Sequence, residues 1–320
     1  MSRNFHNMVS RYNIYFNGNE SYKKGIKKID RQFKDDFSKV LPVFKYGNEG
    51  VANSIASDMD RVITKASKVI AIHSITVKPD TKGKELSEKE KEFYDRTEFN
   101  DWVDDSYLLM GKAQTLKHDY FLAIKTLTYL NKEAQDKSVM YESFVWLSFV
   151  YNQQDEFEKS EKILIELKED PEFPDELNSV FFAVYADYYL RQKIYPQAGE
   201  MLEQALNFEK NKKRKYRLTY ILAQVQEKNG NEKQAYKLYA HVVRMNPPYD
   251  MTFNARIRQA ESFDVTRENV SEIKKILRKM LRDEKNVEFQ DQIYYAFGQI
   301  ALKEQKRDEA IEYFKKSAGV

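Results

Sequence analysis

Between residues 102 and 133 (WVDDSYLLMGKAQTLKHDYFLAIKTLTYLNKE), apolar residues return every three or four positions in two consecutive runs. Tyr107, Met110, Gly111 and Gln114 fall on one face of a first helix, and after the polar turn Lys117 to Asp119, Ala123, Leu127 and Leu130 fall on one face of a second. The spacing predicts a helical hairpin. Gly111 and Ala123 are small, so the two axes can approach where a larger side chain would hold them apart.

The unit recurs. Small residues at the place of Ala123 return at Ser160, Ala198, Ala235 and Ala310, with Ile273 as a degenerate member, in steps of 37, 38, 37, 38 and 37 residues. Twelve positions earlier stand Gly111, Ser148, Ala186, Ala223 and Gly298, with Ala260 thirteen before Ile273. Four positions later come Leu127, Leu164, Leu202, Tyr239, Leu277 and Phe314, large residues suited to fill the space between hairpins. A small pair twelve apart, repeated in this way, resembles the tetratricopeptide repeat, whose standard unit is about 34 residues. Six such units are predicted over 100–320, with the extra residues in longer turns. The expected fold class is all-α, a right-handed tetratricopeptide α-α superhelix.

Ahead of the array, Phe5, Val9, Tyr12 and Phe16 share a helical face, and Gly18 among asparagines reads as a stop. Tyr22, Ile26, Ile29, Phe33 and Phe37 continue the spacing to a break at Pro42, which predicts a divergent hairpin capping the stack. VLPVFKYGNEG is a short apolar connector, expected to lie extended against that hairpin. Residues 51–75 predict one long extra helix whose broad apolar stripe needs covering, most simply by the first repeat. Residues 76–99 form a charged linker that gains helix towards Phe93. The predicted organisation is therefore 1–75, 76–99 and 100–320. The last helix, DEAIEYFKKSAGV, has no polar capping helix after it, so the array is expected to continue past Val320 in a longer protein.

Composition narrows function more than fold. With 53 basic and 50 acidic residues, the net charge of +3 gives little long-range field to steer nucleic acid. There is no cysteine, hence no disulfide, thiol nucleophile or cysteine-based metal site, and no run approaches a membrane span. Glycine-rich phosphate loops, HExxH and GxSxG are missing, and His6, His73, His118 and His241 stand alone in sequence. Asp104 and Asp105 read as helix-dipole partners, the basic run 210–217 as a solvated turn, and Asn269-Val-Ser271 as a weak glycosylation match. No catalytic residue, metal or cofactor is predicted.

The concave face of such a repeat array is expected to be lined by the first helix of each hairpin. The register places Glu142, Val145, Phe149 and Asn152 there from the second unit, and Val180, Ala183, Asp187 and Leu190 from the third. The fourth gives Arg217, Tyr220, Gln224 and Glu227, and the sixth gives Gln292, Tyr295, Gln299 and Leu302. Phe149, Asp187, Arg217, Tyr220, Gln224, Tyr295 and Gln299 are the candidate partner-binding residues. Chaperone-binding tetratricopeptide domains hold a peptide carboxylate in a Lys/Asn/Arg clamp that these residues do not reproduce.

Two stretches carry a narrower likeness. RNFHNMVSRYNIYFNGNESYKKG with DDFSKVLPVFKYG and DMDRVITKASKVIAIHSI, then FNDWVDDSYLLMGKAQTLKHDYFLAIKTLTYL, resemble the start of the tetratricopeptide lipoproteins of Bacteroidetes gliding motility and type IX secretion. That resemblance covers most of residues 2–135. It implies a non-enzymatic scaffold on the periplasmic face of the outer membrane, anchored through a lipidated cysteine ahead of this sequence and linking the translocon to periplasmic components of a secretion and motility complex. It transfers no functional residue. The alternative expectation is a soluble peptide-binding adaptor of the chaperone type using the concave groove, and a third is a hydrolytic activity from residues 1–97.

Overall fold

The computed structural model describes residues 2–46, 48–80, 83, 85–263 and 270–319, and among them there is no strand. The chain divides into two compact units, Met1–Asp35 with Phe44–Arg191 and Asp36–Val43 with Gln192–Val320. Twelve helices occupy the stretches predicted for the repeats: in the first unit α5 (Val103–Leu116) with α6 (Tyr120–Glu133), α7 (Lys137–Gln153) with α8 (Phe157–Glu169), and α9 (Asn178–Arg191); the second unit's helices begin with α10 (Tyr195–Phe208). Then come α11 (Lys212–Lys228) with α12 (Glu232–Arg244), α13 (Tyr249–Glu261) with α14 (Val270–Leu281), and α15 (Gln290–Lys303) with α16 (Arg307–Ala318).

The rhythm of small residues has a direct structural meaning. Ala123, Ser160, Ala198, Ala235, Ile273 and Ala310 each occupy the fourth position of the second helix of their hairpin, and all are buried. The large residues one turn on, Leu127, Leu164, Leu202, Tyr239 and Leu277, are fully buried. A Cβ placed on Gly111 would lie 2.7 Å from Cδ2 of Leu127. Glycine there is what lets α5 and α6 close on each other.

A second periodic feature carries almost no sequence signature. Five residues before the small position, His118, Asp155, Lys193, Gly230 and Gln305 take positive φ angles of 62°, 55°, 60°, 75° and 64°. The left-handed residue reverses the chain and lets the next amide reach back, as in Asp119 N–H to Gln114 O at 2.9 Å and Lys306 N–H to Ala301 O at 2.9 Å. Only one of these turns uses glycine, the residue that bears this conformation without strain. Lys193→Gly is therefore expected to raise stability by about 0.5 to 1 kcal/mol, the relief of left-handed strain less the extra unfolded-state entropy of glycine. Urea unfolding checks this, and an unchanged or lowered midpoint would refute it.

The N-terminal region differs from the predicted hairpin. Helix α1 (Arg3–Val9), a π-helical turn (Ser10–Tyr15) and α2 (Phe16–Gln32) run on without a break, so Gly18 is no stop. It is buried, and a Cβ there would sit 3.3 Å from Cβ of Lys65 and 3.5 Å from Cδ2 of Leu109. The wide π turn also shifts the register: Phe5, Tyr12 and Phe16, expected inside, are exposed, while Ser10, Ile14, Gly18, Ser21, Gly25 and Ile29 face inward. These mostly small residues bring α2 close to the long helix, α3 (Glu49–Lys68), which ends in a second π turn (Val69–His73).

Ile55, Met59 and Val62 of α3 are fully buried between Ile29 of α2 and Leu109, Ala113 and Leu116 of α5, the cover its apolar stripe demands. The linker contains α4 (Glu88–Tyr94), opened by a capping box between Ser87 and Glu90. The N-cap of α5 is Trp102, whose N–H donates to Asn100 Oδ1 at 3.1 Å, while the Asn100 amide nitrogen donates to Ser10 Oγ and to the His73 carbonyl, both at 2.9 Å. Asp104 likewise accepts from the Gln135 and Asp136 amides at 2.7 and 3.0 Å, tying the first hairpin to the second. Residues 264–269, between α13 and α14 and including Asn269 of the glycosylation match, lie outside the described residues.

Candidate functional site

Arg217, Tyr220 and Gln224 lie three and four residues apart on α11 and so share one face. The chain's own residues 36–43 lie along that face. Helix α2 ends because Phe33 turns extended (φ −71°, ψ 115°), and Asp36 then closes a small turn by accepting from the Ser38 amide at 3.1 Å and the Ser38 hydroxyl at 2.6 Å. Those hydrogen bonds hold the Asp36 carboxyl below its usual range. Pro42 cannot sit in a helix and forces Leu41 extended, so Leu41 and Val43 point inward and Pro42 outward.

The groove reads this segment mainly through its backbone. Gln224 uses both ends of its amide, donating from Nε2 to the Lys39 carbonyl at 2.7 Å and accepting the Leu41 N–H on Oε1 at 2.9 Å. Arg217 donates from Nη2 to the Pro42 carbonyl at 2.8 Å and from Nε to the Val43 carbonyl at 3.3 Å. Arg258 of α13 donates to the Phe37 carbonyl at 3.3 Å, and the Phe37 ring meets Tyr220 edge-on at 5.4 Å. These three α11 residues, expected to face a partner, are engaged by the chain itself.

In the other unit, α7 shows a related arrangement. Tyr46 packs at 4.2 Å and Phe44 at 5.2 Å from the ring of Phe149, and Trp146 flanks Tyr46 at 6.2 Å. Phe149 is thereby buried, so it is not open to a partner as predicted. Asp187 is buried too: it accepts from Asn152 Nδ2 at 3.3 Å and pairs with Arg191 Nε at 3.2 Å, while Asn152 also takes the Ser160 hydroxyl at 2.7 Å. Burial pushes the Asp187 carboxyl up against the opposing pull of Arg191. This polar network locks the second hairpin to α9. Of the candidates on α15, Tyr295 is exposed with its ring 5.4 Å from Phe314, and Gln299 is half-buried.

Sequence reasoning found the α11 face but not its occupant. The connector, expected to lie extended against the N-terminal hairpin, divides instead: Leu41 and Val43 bond α11 through their backbone, while Phe44 and Tyr46 pack on Phe149 of α7 and Tyr46 also borders the core that holds Ile29 of α2. The available signal was its alternation of buried Leu41 and Val43 about Pro42, too short to say where it docks.

Sequence reasoning also missed a histidine pair. His6 and His73, 67 residues apart, bring their Nδ1 atoms to 3.1 Å. Burial and then the neighbouring His6 push the His73 ring below its ordinary value. A depressed folded-state value means the unfolded chain binds the proton more readily, so this stabilisation is complete above about pH 6.5 and is lost as pH falls through the folded value. An NMR titration should show His73 protonating at lower pH than an ordinary histidine and moving upward in His6→Ala; no movement would remove the coupling. Among the described residues no group of three or more His, Asp and Glu could hold a metal, and no helix is long and apolar enough to cross a membrane.

The family model for the tetratricopeptide repeat matches residues 291–320, which cover α15 and α16. The last hairpin thus matches the tetratricopeptide repeat. The whole chain is similar in fold to the apo form of the quorum sensor NprR from B. thuringiensis, at TM-score 0.50 and 14% identity over 99% of this chain and 86% of that one. Weaker likenesses are to pilF of Pseudomonas aeruginosa (TM-score 0.44, 16% identity, 66% of this chain and 88% of that) and to a tetratricopeptide repeat protein from Parabacteroides merdae (0.41, 13%, 95% and 93%). No curated protein matches the chain. The predicted all-α fold of tetratricopeptide type is the observed one.

Proposed function

We propose that the protein is a non-enzymatic scaffold for protein–protein contacts, working in type IX secretion and gliding. The observation that carries the scaffold reading is the α11 groove, whose Arg217 and Gln224 hold an extended polypeptide through its backbone. Chemistry of that kind suits holding protein segments and supplies no nucleophile or acid–base pair. The narrower assignment draws on the resemblance of residues 2–135 to the lipoproteins of that machinery. On it, the native protein is tethered by a lipid to the periplasmic face of the outer membrane and connects the translocon with periplasmic components.

The test is fractionation of the source cells together with a gene deletion. The protein should sediment with outer membranes, resist carbonate extraction, and be required for surface spreading and cargo secretion. A protein recovered entirely in the soluble cytosolic fraction, with secretion intact in the deletion strain, would defeat the secretion reading. It would favour instead a soluble peptide-binding adaptor, which the extended occupant of the groove also supports.

A further inference from the structure

We propose that the α11 groove is a binding site for a partner's extended segment of the pattern aromatic-x-x-x-aliphatic-proline-aliphatic, and that residues 37–43, Phe-Ser-Lys-Val-Leu-Pro-Val, are its resident ligand in cis. The proposal rests on the scaffold reading of the same groove and adds the class of partner and the way the groove is kept closed.

Four observations separate the segment from ordinary core. Six hydrogen bonds join Arg217, Gln224 and Arg258 to backbone atoms of residues 37–43, five donated to carbonyls and one accepted by Gln224 from the Leu41 amide, so they tie down the chain without depending on most of its side chains. Gln224 engages the carbonyl of one residue and the amide two further on, the pair that a neighbouring strand would engage. Side-chain selectivity is confined to three places: Phe37 on Tyr220, and the buried Leu41 and Val43. Ser38, Lys39 and Pro42 are exposed, and proline brings no N–H that the groove would have to satisfy. The segment is neither helix nor strand, so releasing it breaks no secondary structure.

A tethered ligand competes at high effective concentration, so the intact chain should bind a matching peptide poorly until the segment leaves. The test uses the full chain and a fluorescent peptide of residues 33–46, followed by polarisation. Replacing residues 37–43 with glycine and serine should tighten peptide binding at least tenfold over the unaltered chain, and adding Gln224→Ala should reverse that gain. A folded glycine-serine variant, checked by circular dichroism, that binds the peptide no better than the unaltered chain would overturn the proposal.

Should that variant not fold, amide exchange of the unaltered chain decides the matter. The Leu41 amide is expected to exchange at least 100-fold faster than the Ile221 amide in α11, because the segment opens without unfolding the helix. Equal protection of the two amides would make the segment permanent core and end the idea. A concentration-dependent dimer formed by exchange of this segment would also overturn it, since the occupant would then be a second copy. None of these outcomes touches membrane anchorage or secretion, so the scaffold's place in the cell stands or falls separately.

Discussion

Leu127→Ala is expected to destabilise the unit containing α5–α8 by about 2 to 5 kcal/mol. Leu127 is fully buried, packed with Leu108, Leu130, Leu147 and Val150 where the first and second hairpins meet, and neither hairpin can collapse into the space it leaves. Gly111→Ala alone should cost about 1 to 2 kcal/mol. The helix gains about 1 kcal/mol from losing a glycine, but the new methyl overlaps Cδ2 and Cγ of Leu127, which would lie at 2.7 and 2.9 Å, and the strain outweighs the gain.

The two changes occupy the same space, so they should not add. With Leu127 shortened, the methyl at 111 fills part of the void, and the double variant should be at least 1 kcal/mol more stable than the sum of the single effects predicts. Gly298→Ala is the control at the equivalent position of the sixth hairpin. There the overlapping group is the half-buried ring of Phe314, 2.5 Å from the added carbon, and an outer-surface ring can swing away. It should be near neutral. Additive effects in the first hairpin, or a loss at Gly298 as large as at Gly111, would show that the small residues are not there to admit the large ones.

That pairing explains why the repeats could be read from sequence while their surroundings could not. Small-then-large spacing such as Gly111, Ala123 and Leu127 is imposed by helix–helix contact and leaves a period in the chain. The left-handed turns at His118, Lys193 and Gln305 leave none, since their geometry comes from the closing of the hairpin and is tolerated by several residue types. At the N-terminus the apolar spacing of Phe5, Tyr12 and Phe16 pointed to the wrong face, because the π turn at 10–15 changes the phase that the spacing assumes. Gly18 looked like a stop for the same reason a close approach needs it: it has no side chain. His6 and His73 meet through two π turns that no local pattern announces.

The groove divides along the same line. Arg217, Tyr220 and Gln224 follow from helical phase alone, so their common face was predictable. What covers them was not, because hydrogen bonds to an extended backbone put no demand on most of the side chains that carry it. The same argument decides which of these groups matters most for stability.

Gln224→Leu should cost the unit containing α10–α16 about 2 kcal/mol, since the replacement fills similar space but leaves the Leu41 N–H inside the groove with no acceptor. Arg217→Met should cost less, about 1 kcal/mol, because Pro42 is exposed and water can take over its carbonyl, while removing a buried guanidinium relieves a desolvation cost. Urea unfolding gives both numbers, and limited trypsin digestion supplies an independent local readout at Lys39. Gln224→Leu should speed cleavage after Lys39 well beyond Arg217→Met, because it frees the carbonyl of the very residue the protease must reach. If the two variants proved equally stable and equally resistant, the hold on residues 36–43 would lie in the burial of Leu41 and Val43, and the bidentate contact of Gln224 would be a consequence of that burial and not its cause.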